Sequence, residues 1–247
     1  MPNAQIAVIN ASTVLHDSEV ANAVPAFQKQ ISEHLAYVWG TDATLTFVPS
    51  GATPPDGVWW LTILDNTDQA AYLGYHDMTN AGLPLGKAFA ATDQMFGFNW
   101  TVTASHELLE MLIDPDINLT VLVQDDNTAG RLYAYEICDP CESDPYGYEI
   151  DGVLVSDFVF PAWFQSFQNP GSFQNPGNVQ YDVTQQITQP FQLLPGGYIN
   201  VYDLAAGGGW QQLNGEQTPA SYITRAPIGA RRERRRVNRG NWVRSTV

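Results

Sequence analysis

Positive charge is almost absent from the first nine-tenths of this chain. Residues 1–224 contain only Lys29, Lys87 and Arg131 as basic side chains. Residues 225–247 hold eight arginines and one acid, Glu233, a net +7 that leaves −22 on the rest of a chain totalling −15. So acidic a body repels nucleic acid. Only the tail could engage nucleic acid, an acidic neighbour or the body itself. Cysteine is also scarce. The two present, Cys138 and Cys141, form Cys-Asp-Pro-Cys. A single C-x-x-C does not supply the four ligands of a structural zinc site, and this one does not follow an early strand as a redox pair would. A local disulfide or two free thiols in a tight turn is expected. Long apolar runs are missing, so no membrane contact is expected. The first twelve residues lack the basic start and apolar stretch of a secretory signal. The expected location is therefore cytoplasmic or virion-associated.

What the chain does contain is enough for a folded core. It has 247 residues, 44% hydrophobic and 12% aromatic. The most informative stretch is Ser105-His106-Glu107-Leu108-Leu109-Glu110. It reads H-E-x-x-E, one residue away from the H-E-x-x-H helix of zinc peptidases. Residues four apart share a helix face. His106 and Glu110 can then offer a nitrogen and an oxygen to one metal ion. Glu107, beside His106, suits a general base acting on metal-activated water. Leu108, Leu109, Met111, Leu112 and Ile113 wrap most of the helix, which predicts a buried one. Thr101, Thr103 or Ser105 could cap its start, and Asp114-Pro115 ends it. A buried helix with His, Glu and Glu within five residues needs partners for them. The alternative is a helix end whose acids face water.

A third ligand must come from elsewhere. Asp116 lies ten residues after His106, but Pro115 precedes it and no glycine turns the chain back. Glu136 with Asp139 is preferred. His76, in a turn at Gly74-Tyr-His-Asp77, reads as a structural hydrogen-bonding group, a substrate contact or an extra ligand. His16 and His34 have no supporting context.

The pattern around these residues predicts an α+β order. Gln5–Asn10, Thr44–Val48, Val58–Leu64 and Gly82–Ala90 read as strands. Ser18–Tyr37 reads as an amphipathic helix with Val20, Val24, Phe27, Ile31, Leu35 and Tyr37 on one side. Shorter strands are expected at Leu119–Val123, Leu132–Ile137 and Val153–Phe160. From Asp114 to Asp157 there are eleven carboxylates and one basic residue. That balance suggests bound cations such as Ca2+, or a very hydrophilic surface. Phe167-Gln-Asn-Pro-Gly171 recurs as Phe173-Gln-Asn-Pro-Gly177, which is turn chemistry. Turns are also expected at Pro195-Gly-Gly197, ahead of a strand, and at residues 207–209.

Gly74-Tyr-His-Asp77, Ser105-His-Glu-Leu-Leu-Glu-Met-Leu-Ile-Asp-Pro115 and Glu136-Ile-Cys-Asp139 together resemble a group of bacterial and bacteriophage proteins. Their pattern is S-H-E-x-x-E-x-x-x-D-P followed by E-I-x-D. The helix is also similar to that of the plant phosphate-induced (exordium-like) proteins. The resemblance covers about residues 70–160. It implies a zincin-like fold, with a mostly antiparallel or mixed sheet above a metal-bearing helix. It also implies His106 and Glu110 as ligands and Glu107 as base. Glutamate in the second ligand position departs from true zincins and makes the metal a weaker Lewis acid.

The expected organisation is a zincin-like domain over residues 1–160, a loop- and β-rich extension packed on it over 161–224, and the tail over 225–247. The expected function is zinc-dependent hydrolysis of a peptide or protein. The alternative is an inactive zincin-like structural protein, for example a virion component docking a neighbour or nucleic acid through its arginine tail.

Overall fold

The computed structural model describes residues 3–69, 72–124, 129–170, 179–206 and 209–215. The second Phe-Gln-Asn-Pro-Gly copy, two of the three glycines at 207–209 and the arginine tail lie outside these ranges.

The first strand, β1 (Ala4–Asn10), is an interior strand, and Ile6, Ala7 and Val8 are buried on both of its faces. Such a continuous apolar run suits a strand with parallel neighbours on either side. Its neighbours are β2 (Ala43–Val48) and β3 (Trp59–Leu64), both parallel to it. Next comes β5 (Pro84–Phe89), parallel to β3, and then β4 (Gly74–Met78), antiparallel to β5 at the edge. The order is β2-β1-β3-β5-β4. This sheet is therefore mixed and mainly parallel, with antiparallel pairing confined to its edge. The strand order has one member more than the sequence suggested, because Gly74–Met78 is a strand and not a turn.

Parallel neighbours need a crossover. Here it is α1 (Asp17–Lys29), which continues through a π-helical turn, Gln30–Leu35, into α2 (Ala36–Trp39). Val20, Phe27, Ile31 and Leu35 are buried as expected. Tyr37 is 88% exposed, contrary to expectation. The face that carries Ile31 and Leu35 leads on to Val38 and Trp39, and the Trp39 indole donates to the Val159 carbonyl at 3.0 Å.

After β5 come α3 (Ala90–Phe96), which the sequence did not suggest, and α4 (Trp100–Ile113). Every residue of α4 from Val102 to Ile113 is buried. The helix runs against β4 and β5 on one side and against β9 (Val153–Val155), paired with β8 (Tyr148–Ile150), on another. Burying Leu108, Leu109 and Met111 contributes on the order of 2 kcal/mol each.

A second sheet, wholly antiparallel, has the order β11-β10-β7-β6. It joins β6 (Thr120–Gln124) and β7 (Gly130–Ala134) to β10 (Tyr198–Asp203) and β11 (Trp210–Asn214). Val201 pairs with Tyr133, so residues beyond 160 complete a sheet begun before them. The described residues are thus α+β, with a five-stranded mixed sheet, a four-stranded antiparallel sheet, the β8-β9 pair and few helices. Among the described residues no helix is long and apolar enough to cross a membrane.

Candidate metal centre

Helix α4 carries the H-E-x-x-E residues, and its two ends are fixed by carboxylates. At the start, the Asn99 backbone and side-chain N–H groups both donate to Asp144 Oδ2, at 2.8 and 2.6 Å. The residues expected to cap it lie inside the helix instead. Thr103 donates to Asp93 Oδ1 at 2.9 Å, and Ser105 Oγ accepts the Ser156 N–H at 2.8 Å. At the far end Asp114 accepts the N–H groups of Asn118 and Leu119 at 2.9 and 3.1 Å, which holds the turn after Pro115. Asp116 is exposed on that turn and takes no part in the cluster.

The sheet approaches α4 closely through two glycines. A Cβ on Gly74 would lie 2.7 Å from Thr103 Cγ2 and 2.8 Å from Glu107 Cγ. Gly86, paired with His76 across the hairpin, also faces Glu107, but with more room. Strand alternation then turns His76 toward α4 and leaves Tyr75 and Asp77 on the other face. His76 is 1% exposed and is part of the buried cluster. Its Nδ1 lies 3.4 Å from Glu107 Oε2 and 3.7 Å from Glu110 Oε2, and its Nε2 lies 3.7 Å from Glu136 Oε2.

On the other side of Glu110, His106 Nε2 lies 3.2 Å from Glu110 Oε2 and 3.3 Å from Asp139 Oδ1. This nitrogen is fully enclosed. Donor atoms held about 2.0–2.2 Å from one ion sit roughly 3–4 Å from each other. The spacing around His106 is of that kind. Two groups of buried side chains could hold a metal ion: His106, Glu110 and Cys138, and His76, Glu110 and Glu136. Within each, the donor atoms lie within 4.8 Å of one another. Of the four ligands expected from sequence, His106 and Glu110 fall in one group and Glu136 joins Glu110 and His76 in the other, while Asp139 belongs to neither although its Oδ1 lies 3.3 Å from His106 Nε2. Among the described residues the acids between Glu142 and Asp157 contribute to neither group. Asp144 holds the start of α4 and Asp151 pairs with Lys29, so the expectation of Ca2+ in these loops gains no ligand set.

Cys138 is the ligand candidate that sequence reasoning missed. Both thiols are free and buried, Cys138 just before and Cys141 at the end of a 3-10 turn, Asp139–Cys141. The Cys138 backbone N–H donates to Glu110 Oε1 at 3.2 Å, which fixes that carboxylate while its other oxygen faces the imidazoles. The signal lay in the motif itself, because Cys138 sits between Glu136 and Asp139. The turn is braced from outside. Leu194 N–H donates to the Pro140 carbonyl at 2.9 Å, and Gly197 packs against the same carbonyl more closely than any Cβ would permit.

Burial would lower the pKa of His106, but Glu110, Asp139 and Glu107 outweigh it and push it up to about 10. The same carboxylates that hold a proton there would hold a cation. Burial and neighbouring acids raise both thiols, so Cys138 is a ligand only when a cation displaces its proton.

Behind Cys141 lies a second pair of buried acids, Asp157 and Asp182, bridged by the Thr184 hydroxyl at 2.6 and 3.3 Å. Burial first, and Asp182 after it, raise Asp157 to about 7 against the pull of Thr184. An aspartate raised in this way keeps its proton longer in the folded chain than in the unfolded one. Its contribution to stability is complete below the ordinary carboxylate range and is lost as pH rises toward 7. The melting temperature of the wild type minus that of Asp157→Asn is expected to fall between about pH 4 and about pH 8. A difference that stays flat over that range in a thermal-melt series would contradict the assignment.

No protein-family model, curated protein or solved structure matches this chain.

Proposed function

We propose that the protein is a metal-dependent hydrolase on a zincin-like scaffold, with zinc as its ion and a peptide bond as its target. The observation that carries this reading is the meeting of His106 and Glu110 on a buried helix with His76 from the edge strand, Glu107 lying against His76. Imidazole, carboxylate and thiol donors together favour zinc over the harder Mg2+ or Ca2+. An ion held there supplies a Lewis acid that makes water easier to deprotonate. Glu107 supplies the proton acceptor: its Oε2 faces His76 Nδ1 at 3.4 Å, and its carboxylate is fully buried. In that enclosed position Glu107 can take a proton from water and return it to a leaving amine. His76 orients Glu107 and limits its rotation.

The test is metal removal. Chelator-treated protein is expected to lose hydrolysis of an unfolded protein substrate and to regain it with added Zn2+. His106→Ala is expected to lose stoichiometric zinc by elemental analysis while its circular dichroism stays that of the wild type. Full zinc content in that variant, or hydrolysis indifferent to chelation, would sink the reading.

A further inference from the structure

We propose that two copies of this chain pair edge to edge through β6, joining their second sheets into one. The first observation is the edge itself. β6 lies at one end of the strand order, and its sequence, Thr-Val-Leu-Val-Gln, carries no charge. The Tyr135 N–H donates to the Leu119 carbonyl at 3.3 Å. Bonded pairs alternate along an antiparallel ladder. Val121 and Val123 therefore bond to Tyr133 and Arg131, while Thr120, Leu122 and Gln124 turn their N–H and C=O groups outward. Among the described residues no side chain or loop bonds to that outer row. The edges of the first sheet are guarded. At β2 the Gln28 side chain donates to the Ala43 carbonyl and accepts the Leu45 N–H, both at 2.8 Å. β4 carries Asp77, whose carboxylate accepts the Met78 N–H at 2.8 Å. An uncharged, unguarded edge is a template for another strand.

The second observation is that the outer row fits a second copy of itself. About a two-fold axis at Leu122, Thr120 meets Gln124 of the other copy, Leu122 meets Leu122, and Gln124 meets Thr120. In that register every outward N–H of each strand faces an outward carbonyl of the other. The third observation is apolar surface. Leu122 is 50% exposed, and Leu204, which shares with it the space over Gly130, is 49% exposed. Leu122 pairs with Leu132, Leu132 with Tyr202, and Tyr202 with Trp210, one apolar row across the sheet. The two-fold axis sets Leu122 against its copy and carries that row unbroken through both sheets. Apolar pairs across neighbouring strands add to the ladder's hydrogen bonds. β11, the opposite edge, would centre the same pairing on Gln212, an amide in place of the leucine.

The test is the mass of the full chain in solution. Sedimentation velocity over a concentration series is expected to show a reversible rise from 27.3 kDa toward twice that value. Added salt is expected to strengthen the pairing, because each copy carries a net −15 and screening weakens their repulsion. Leu122→Lys sets two ammonium groups face to face and is expected to abolish the dimer, while circular dichroism stays that of the wild type. Hydrogen exchange on the wild type needs no variant. The amides of Thr120, Leu122 and Gln124 are expected to exchange slowly at high concentration and fast on dilution. A monomer at every concentration overturns the proposal. So does a dimer that loosens with salt, as one held by the arginine tail would. A dimer that survives in Leu122→Lys, or that leaves those three amides unprotected, overturns it too.

Discussion

Glu107→Gln is expected to lower peptide hydrolysis by about 10²–10⁴-fold, the range that general-base catalysis contributes. Zinc content and melting temperature are expected to change little. Glutamine keeps the shape of the side chain and its packing against Gly74 and Gly86, but it cannot accept the proton. The loss should fall on the turnover number, with the substrate concentration at half-maximal rate barely moved. Wild-type and variant rates that agree would remove Glu107 from the catalytic role. A variant stripped of its zinc would make Glu107 a ligand instead.

Gly74→Ala is expected to be the most damaging single methyl group at the contact between α4 and the sheet. The added carbon meets Thr103 Cγ2 at 2.7 Å and both Cγ and Oε1 of Glu107 at 2.8 Å. Thr103 is β-branched and tied to Asp93, so it cannot turn away at little cost. Either α4 moves off the sheet or Glu107 leaves its place. Overpacking of this kind costs about 1–3 kcal/mol. The variant should therefore lose stability and hydrolysis together. Gly86→Ala is the comparison: its nearest contact is 3.1 Å, to the end of the Leu61 side chain, and Glu107 Cβ is 3.6 Å away. A denaturant series in which Gly74→Ala is no worse than Gly86→Ala would refute this account.

The fold was legible where a segment's own pattern decides its structure. The apolar run of β1 and the helical run from α1 through the π-turn to α2 lie close to their expected bounds, and α4 is buried all round as its leucines required. Legibility failed where partners decide. Gly74–Met78 reads as a turn because glycine opens it and polar residues fill it. It is a strand because β5 pairs with it and α4 needs a glycine at the contact. The expected strand Val153–Phe160 stops at Val155, because Asp157 turns its backbone aside to bind Phe158 and Val183. At the site, the spacing of His106 and Glu110 follows from helix geometry alone. Glu136 and Asp139 were near enough in sequence to be suspected. That they face different histidines depends on how the loop after β7 crosses the helix, and no local pattern encodes that crossing.

The brace on the Cys-Asp-Pro-Cys turn bears on how the protein is made. A nascent chain leaves the ribosome from its first residue onward, and folding follows synthesis. Helix α4 and His76 emerge early, yet the turn that carries Cys138 and Asp139 is held by Leu194 and Gly197 and by the pairing of Val201 with Tyr133. Until those residues emerge, the loop lacks its outer brace and keeps only inner bonds such as Cys138 N–H to Glu110 and Val159 N–H to the Ile137 carbonyl. The two histidines then wait without their full complement of ligands. Assembly of the centre is thereby deferred until the second sheet closes, so a truncated product carries the motif but not the site.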